Sequence, residues 1–213
     1  MTPFLAQFAI VAVAHLLALI SPGPDFIVVS KNSLSYSRKI GIYTALGVAL
    51  GISIHVFYSL VGIGFIISKS ILVFNLIKIL GACYLIFIGY KMLRSKPSKA
   101  SDTNLVVEEN QKSNFTPFSA VKNGFLVNVL NPKATLFFVA LFTQVIVPNT
   151  PQFVKIIYGI EMMLATFIWF TFVSHLFSHK TFKEKIFKWR HVVDRVTGVV
   201  LIAIGLKVLI SSR

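Results

Sequence analysis

The sequence predicts an all-α membrane protein in which six transmembrane helices form two inverted three-helix repeats. Three observations lead there: an apolar content far above that of a soluble domain, six apolar runs long enough to cross a bilayer, and a likeness between the two halves of the chain. Of the 213 residues, 55% are hydrophobic and only 13% are charged, against about 25% charged in soluble domains. Six spans of about 20 residues use nearly all of that apolar content, and the mean hydropathy of +0.79 leaves no room for a second domain.

The apolar runs cover residues 4–29, 40–67, 71–93, 118–147, 156–177 and 192–210. Each is too long for a membrane β-strand of about 9–11 residues, and a helix satisfies its own backbone hydrogen bonds in lipid. The first run lacks the positively charged flank of a cleaved signal peptide, so it is read as a retained membrane helix. Residues 1–94 then form the first repeat, 95–117 a polar linker too poor in apolar surface to fold alone, and 118–213 the second repeat. A single cysteine, Cys83, excludes an intrachain disulfide.

Charge placement sets the orientation. The formal charge of +14 would raise nucleic-acid binding in a soluble chain, but position argues against that reading. Fifteen basic residues flank the runs on one side, around Lys31, Arg38 and Lys39, from Lys91 to Lys122, and from Lys180 to Arg195. The other side holds only Lys69, Lys155, Lys207 and Arg213. By the positive-inside rule the rich side is cytoplasmic and both termini lie outside.

The halves correspond at two places. Ser21-Pro22-Gly23-Pro24-Asp25 in the first run and Asn131-Pro132-Lys133 in the fourth each set a small polar residue and a proline deep in an apolar stretch. Gly81 to Lys91 likewise parallels Gly198 to Lys207 with one gap. Three spans per half make the second repeat enter from the opposite face, the inverted architecture of many secondary transporters.

The prolines carry the chemistry. Pro22 and Pro24 remove two backbone donors, and Gly23 between them permits non-helical dihedrals, so the first helix is expected to break there. In a membrane such a break is tolerated where it lines a cavity or is buried in protein. A half-helix starting at Pro24 directs its positive end at the break and suits a carboxylate, while freed carbonyls near Leu19 and Ile20 suit an ammonium. A simple packing kink is the competing reading. Asp25, an ionisable group at membrane depth, is a candidate proton carrier, or else it stabilises a helix start. Lys133 either pairs with Asp25 across the two breaks or reaches for the interface along its flexible stem. Glu161 reads as interfacial, with a proton carrier as the competing reading, and His15 and His55 read as packed. His175 and His179 share one helical face, but two ligands do not make a metal site, and no metal or cofactor is called for.

Together, Ser21-Pro-Gly-Pro-Asp25, Lys31-Asn-Ser-Leu, Gly47-Val-Ala-Leu-Gly51 with His55, Gly81-Ala-Cys-Tyr-Leu85, Gly89 and Asn131-Pro-Lys-Ala134 resemble the LysE/RhtB family of bacterial amino-acid exporters. The resemblance covers nearly the whole chain. It implies a multi-pass protein of the bacterial inner membrane, not an enzyme, that exports amino acids or related small zwitterions by proton antiport, with homo-oligomerisation left open. The expected substrate and coupling residues are Ser21, Pro22, Gly23, Pro24, Asp25, Asn131, Pro132 and Lys133. A cation or metal exporter and a membrane-embedded enzyme are the alternatives. The first needs several convergent carboxylates, and the second a nucleophile and base that the sequence does not display.

Overall fold

A computed structural model describes residues 3–21, 23–95, 115–145, 150–177 and 180–210. Pro22, most of the expected linker and His179 lie outside the described residues. Eight helices and no strand occur among those described: α1 (Pro3–Ile20), α2 (Pro24–Ser35), α3 (Arg38–Lys69), α4 (Ile71–Leu93), α5 (Pro117–Val129), α6 (Pro132–Val145), α7 (Gln152–Phe177) and α8 (Lys180–Ile210).

The expected breaks account for the two extra helices. α1 and α2 meet at 52°, and α5 and α6 at 58°. Proline fixes both restarts: Pro24 and Pro132 open α2 and α6, where a missing N–H costs nothing because the first turn has no intrahelical acceptor for it. Gly23 is extended, with φ −144° and ψ −166°. Any residue adopts that conformation, so the break comes from the prolines and not from a glycine dihedral.

α3, α4 and α7 are each long and apolar enough to cross a membrane, and counting each bent pair as one span brings the number to five. α8 carries Asp194, Arg195 and Lys207 within its apolar half, and it starts twelve residues before the apolar run expected at 192. Hydropathy marks only the apolar part of a helix, and Lys, Glu and Arg are good helix formers that carry it further. α2 likewise runs past residue 29 to Ser35 because its polar residues turn inward: Ser30, Asn32 and Ser33 are buried, and Asn32 Nδ2 donates to Thr44 Oγ1 at 2.9 Å and Asn123 Oδ1 at 3.1 Å. Asn32 thereby ties α2, α3 and α5 together.

The outside is apolar. On α7 the stripe Val154, Tyr158, Met162, Thr166 and Phe170 is buried, while Phe153, Ile160, Leu164, Ile168 and Phe172 are exposed. A helix apolar all round belongs in lipid or in a large core.

Small residues set the closest helix pairs. α4 and α8 cross at Gly89 and Gly198, where a Cβ on either would lie 2.6 Å from the other's carbonyl oxygen. Gly205 lies against the carbonyl of Ala82, so the two helices run antiparallel. α3 and α5 approach in the same manner: a methyl on Gly47 would collide with the Val121 carbonyl, and one on Gly124 with that of Thr44. Such contacts replace a hydrophobic driving force that lipid does not supply.

Candidate functional site

The two breaks meet. Asp25, the second residue of α2, takes both Asn128 Nδ2 and Asn131 Nδ2 on its Oδ2, each at 3.1 Å. Asn131 also caps α6, its Oδ1 accepting the Lys133 amide at 3.0 Å, the usual service of an Asn placed before an N1 proline. Its side chain therefore starts one half-helix and holds the carboxylate at the start of the other. Asp25 Oδ1 is buried and has no hydrogen-bond partner among the described residues. A buried acceptor left unfilled costs about 1–3 kcal/mol, so it is a place prepared for a donor.

Lys133 crosses in the opposite direction. Its Nζ donates to Ser21 Oγ at 3.1 Å and Ser21 O at 3.3 Å, and its charge acts on Asp25. Reaching the first break, it does not extend to the interface. The carbonyl freed at the end of α1 is thus held by a cation from the second half. α2 itself has no side-chain cap at Gly23, which leaves its first amides open to an anion beside Lys133.

Ser21, Gly23, Asp25, Asn131 and Lys133 line one partly open cavity. Its remaining wall is largely apolar, including Ile52, Phe137, Phe138 and Phe170. Pro132 is exposed at the start of α6 and does not line it. A Cβ at Gly23 would meet Lys133 Cδ and Nζ at 3.7 Å, an ordinary contact, so neither the backbone nor the space around it demands glycine here.

Three participants lie outside the expected set. Asn128 stands one turn before Asn131, and its carbonyl lies 2.9 Å from His55 Nε2. His55 Nδ1 lies 2.6 Å from the Tyr58 hydroxyl, so both ring nitrogens are engaged and His55 is packed as expected. Asp194 of α8 is buried; it accepts from Ser21 Oγ at 3.2 Å and Ser95 Oγ at 2.9 Å, joining the first break to the start of the linker. Glu161 points inward, with Oε1 3.8 Å from His15 Nδ1. His175 is exposed, with Nδ1 2.9 Å from the Thr171 carbonyl.

Residues 16–212 match the family model described as LysE type translocator. The chain is 31% identical to the threonine efflux protein of Salmonella typhi, over 97% of this chain and 99% of that protein. It is equally 31% identical to the threonine efflux protein of Escherichia coli (strain K12), again over 97% and 99%. An uncharacterized membrane protein of Bacillus subtilis (strain 168) is 32% identical, over 93% of this chain and 96% of its own. No solved structure matches the chain.

Proposed function

The chain belongs to the LysE type translocator family, so it is a membrane transporter and not an enzyme, and we propose that it exports amino acids or related small zwitterions from the cytoplasm by proton antiport across a bacterial inner membrane. One observation carries the choice of cargo: a carboxylate with an unpartnered buried oxygen and an ammonium, contributed by opposite halves, border the same cavity. The substrate ammonium fills the open side of Asp25. Its carboxylate takes Lys133 and the uncapped amides of α2, and its side chain lies along the apolar wall. The efflux of threonine by two relatives supports cargo of this class.

The test is transport by the purified protein in proteoliposomes, with labelled threonine, leucine, phenylalanine and lysine, with and without a pH gradient. Movement of at least one of them is expected, accelerated when protons run in the opposite direction. Failure to move any would remove the exporter reading.

Six spans in two inverted repeats are the architecture that goes with this function. Reciprocal packing supports it: Gly89 meets Gly198 while Gly205, the counterpart of Gly89, meets Ala82 beside Gly81, the counterpart of Gly198, and α3 contacts α6 as its counterpart α7 contacts α2. Alternating access then amounts to rocking one repeat against the other around the paired breaks. With Cys83 replaced, cysteines at Ser98 and Lys183 are expected to react with impermeant reagents only from the cytoplasm, and one at Gln152 only from outside. Labelling of Ser98 and Gln152 from one face would refute the six-span inverted arrangement and its external termini.

A further inference from the structure

The cavity has a second ionisable group on its wall that the zwitterion does not use. His15 of α1 lines the cavity and is 2% exposed. Its Nδ1 faces Glu161 of α7 at 3.8 Å, and its Nε2 lies 3.5 Å from Thr166 Oγ1 further along the same helix. Glu161 Oε2 is buried without a hydrogen-bond partner among the described residues. Nine residues into a 26-residue helix, Glu161 lies about 14 Å from the start of α7, well inside a span, where ionisable groups mark proton and ion pathways.

We infer that His15 and Glu161 together form the binding site of the counter-transported proton, an inference that rests on the exporter reading for its cargo. With one proton the pair is neutral overall, whether written as imidazolium and carboxylate or as imidazole and carboxylic acid. Loss of that proton to water leaves imidazole beside a carboxylate, and no other bond changes. Glu161 is the one carboxyl group within ion-pair distance of His15 among the described residues. Of the elements around His15, α6 contributes Lys133 and α2 contributes Asp25, opposite charges bordering the same cavity. α3 contributes His55, beyond the ring of Phe138 that lies between the two histidines. α8 contributes Asp194, engaged by Ser21 and Ser95, and the exposed Arg195. α7 adds Tyr158 on its buried stripe.

Substrate and proton share one wall, so filling the cavity changes the solvation of the imidazole. By linkage, the proton then changes substrate affinity by the same factor. That reciprocity is what antiport requires. It also separates two duties that sequence placed on one residue: Asp25 holds cargo, and the His15 and Glu161 pair holds the proton.

Glu161→Gln keeps shape and removes the charge, and Glu161 does not line the cavity. In proteoliposomes loaded with labelled threonine, leucine, phenylalanine or lysine, the variant should lose pH-gradient-driven transport by at least about tenfold. Counterflow exchange at equal pH and saturating substrate should survive, with the half-saturating concentration shifted. Full gradient-driven transport by the variant overturns the proposal, as does an equal loss in both modes or a wild-type protein indifferent to the gradient. Should wild type move none of the four, the exporter reading fails, and labelled-histidine NMR in nanodiscs still decides the pair. With the His15 signal identified by its loss in His15→Gln, its proton affinity should change at least about tenfold in Glu161→Gln. An unchanged affinity overturns the pair whatever transport does.

Discussion

Asp25→Asn is expected to abolish transport in both modes, gradient-driven and equal-pH exchange, while the protein still inserts and folds. The geometry makes the amide a poor replacement despite its size. Asp25 Oδ2 already takes the amides of Asn128 and Asn131, so the one oxygen of an introduced Asn must turn toward those donors. Its NH2 then points into the slot that Oδ1 now offers, and donor faces donor when an ammonium arrives. Losing a charge-assisted bond and meeting a mismatched group together weaken binding by about 100-fold. Folding survives because the amide still serves the start of α2 and Lys133 keeps its bonds to Ser21. The measurement is counterflow at equal pH, with insertion checked by chromatography and thermal melting. Exchange that persists while the gradient response vanishes would move the proton from the His15 and Glu161 pair to Asp25.

Where the chain breaks was legible because proline acts locally: Pro24 and Pro132 dictate a restart wherever they stand. That the breaks would meet followed from the repeat, and the contact of Asp25 with Asn131 bears this out. Asn128 could also have been found, since it lies three residues before Asn131 and so shares its helix face. Asp194 could not. It stands at the edge of the sixth apolar run beside Arg195, and only the packing of α8 against the first break buries it and gives it partners. His15 and Glu161 stand 146 residues apart in sequence, and each alone looks packed or interfacial. Their pairing exists only once α1 lies on α7. Hydropathy set the helix ends too narrowly for the same reason: the polar residues of α2 find partners across helices, and those of α8 extend a helix that apolarity alone would stop.

Lys133→Gln is expected to match Asp25→Asn in lost transport and to exceed it in lost stability, and the double variant should recover stability without transport. Removing the ammonium takes away the substrate carboxylate's partner and the donor that holds Ser21 O. It also leaves Asp25 charged on a short stem that cannot leave the cavity. A lysine stripped of its carboxylate, by contrast, can shift along its flexible chain toward water. Leaving a fixed charge in the cavity without its compensating ammonium costs about 3 kcal/mol. In Asp25→Asn/Lys133→Gln no charge is stranded, so thermal stability in detergent should return most of the way to wild type, with a coupling of about 1–3 kcal/mol in the double-mutant cycle. Transport should stay absent, because a zwitterion needs both charges present. A double variant that transports would mean that Asp25 and Lys133 serve only to join the two halves, and the cargo would have to be held by the remaining polar wall of the cavity.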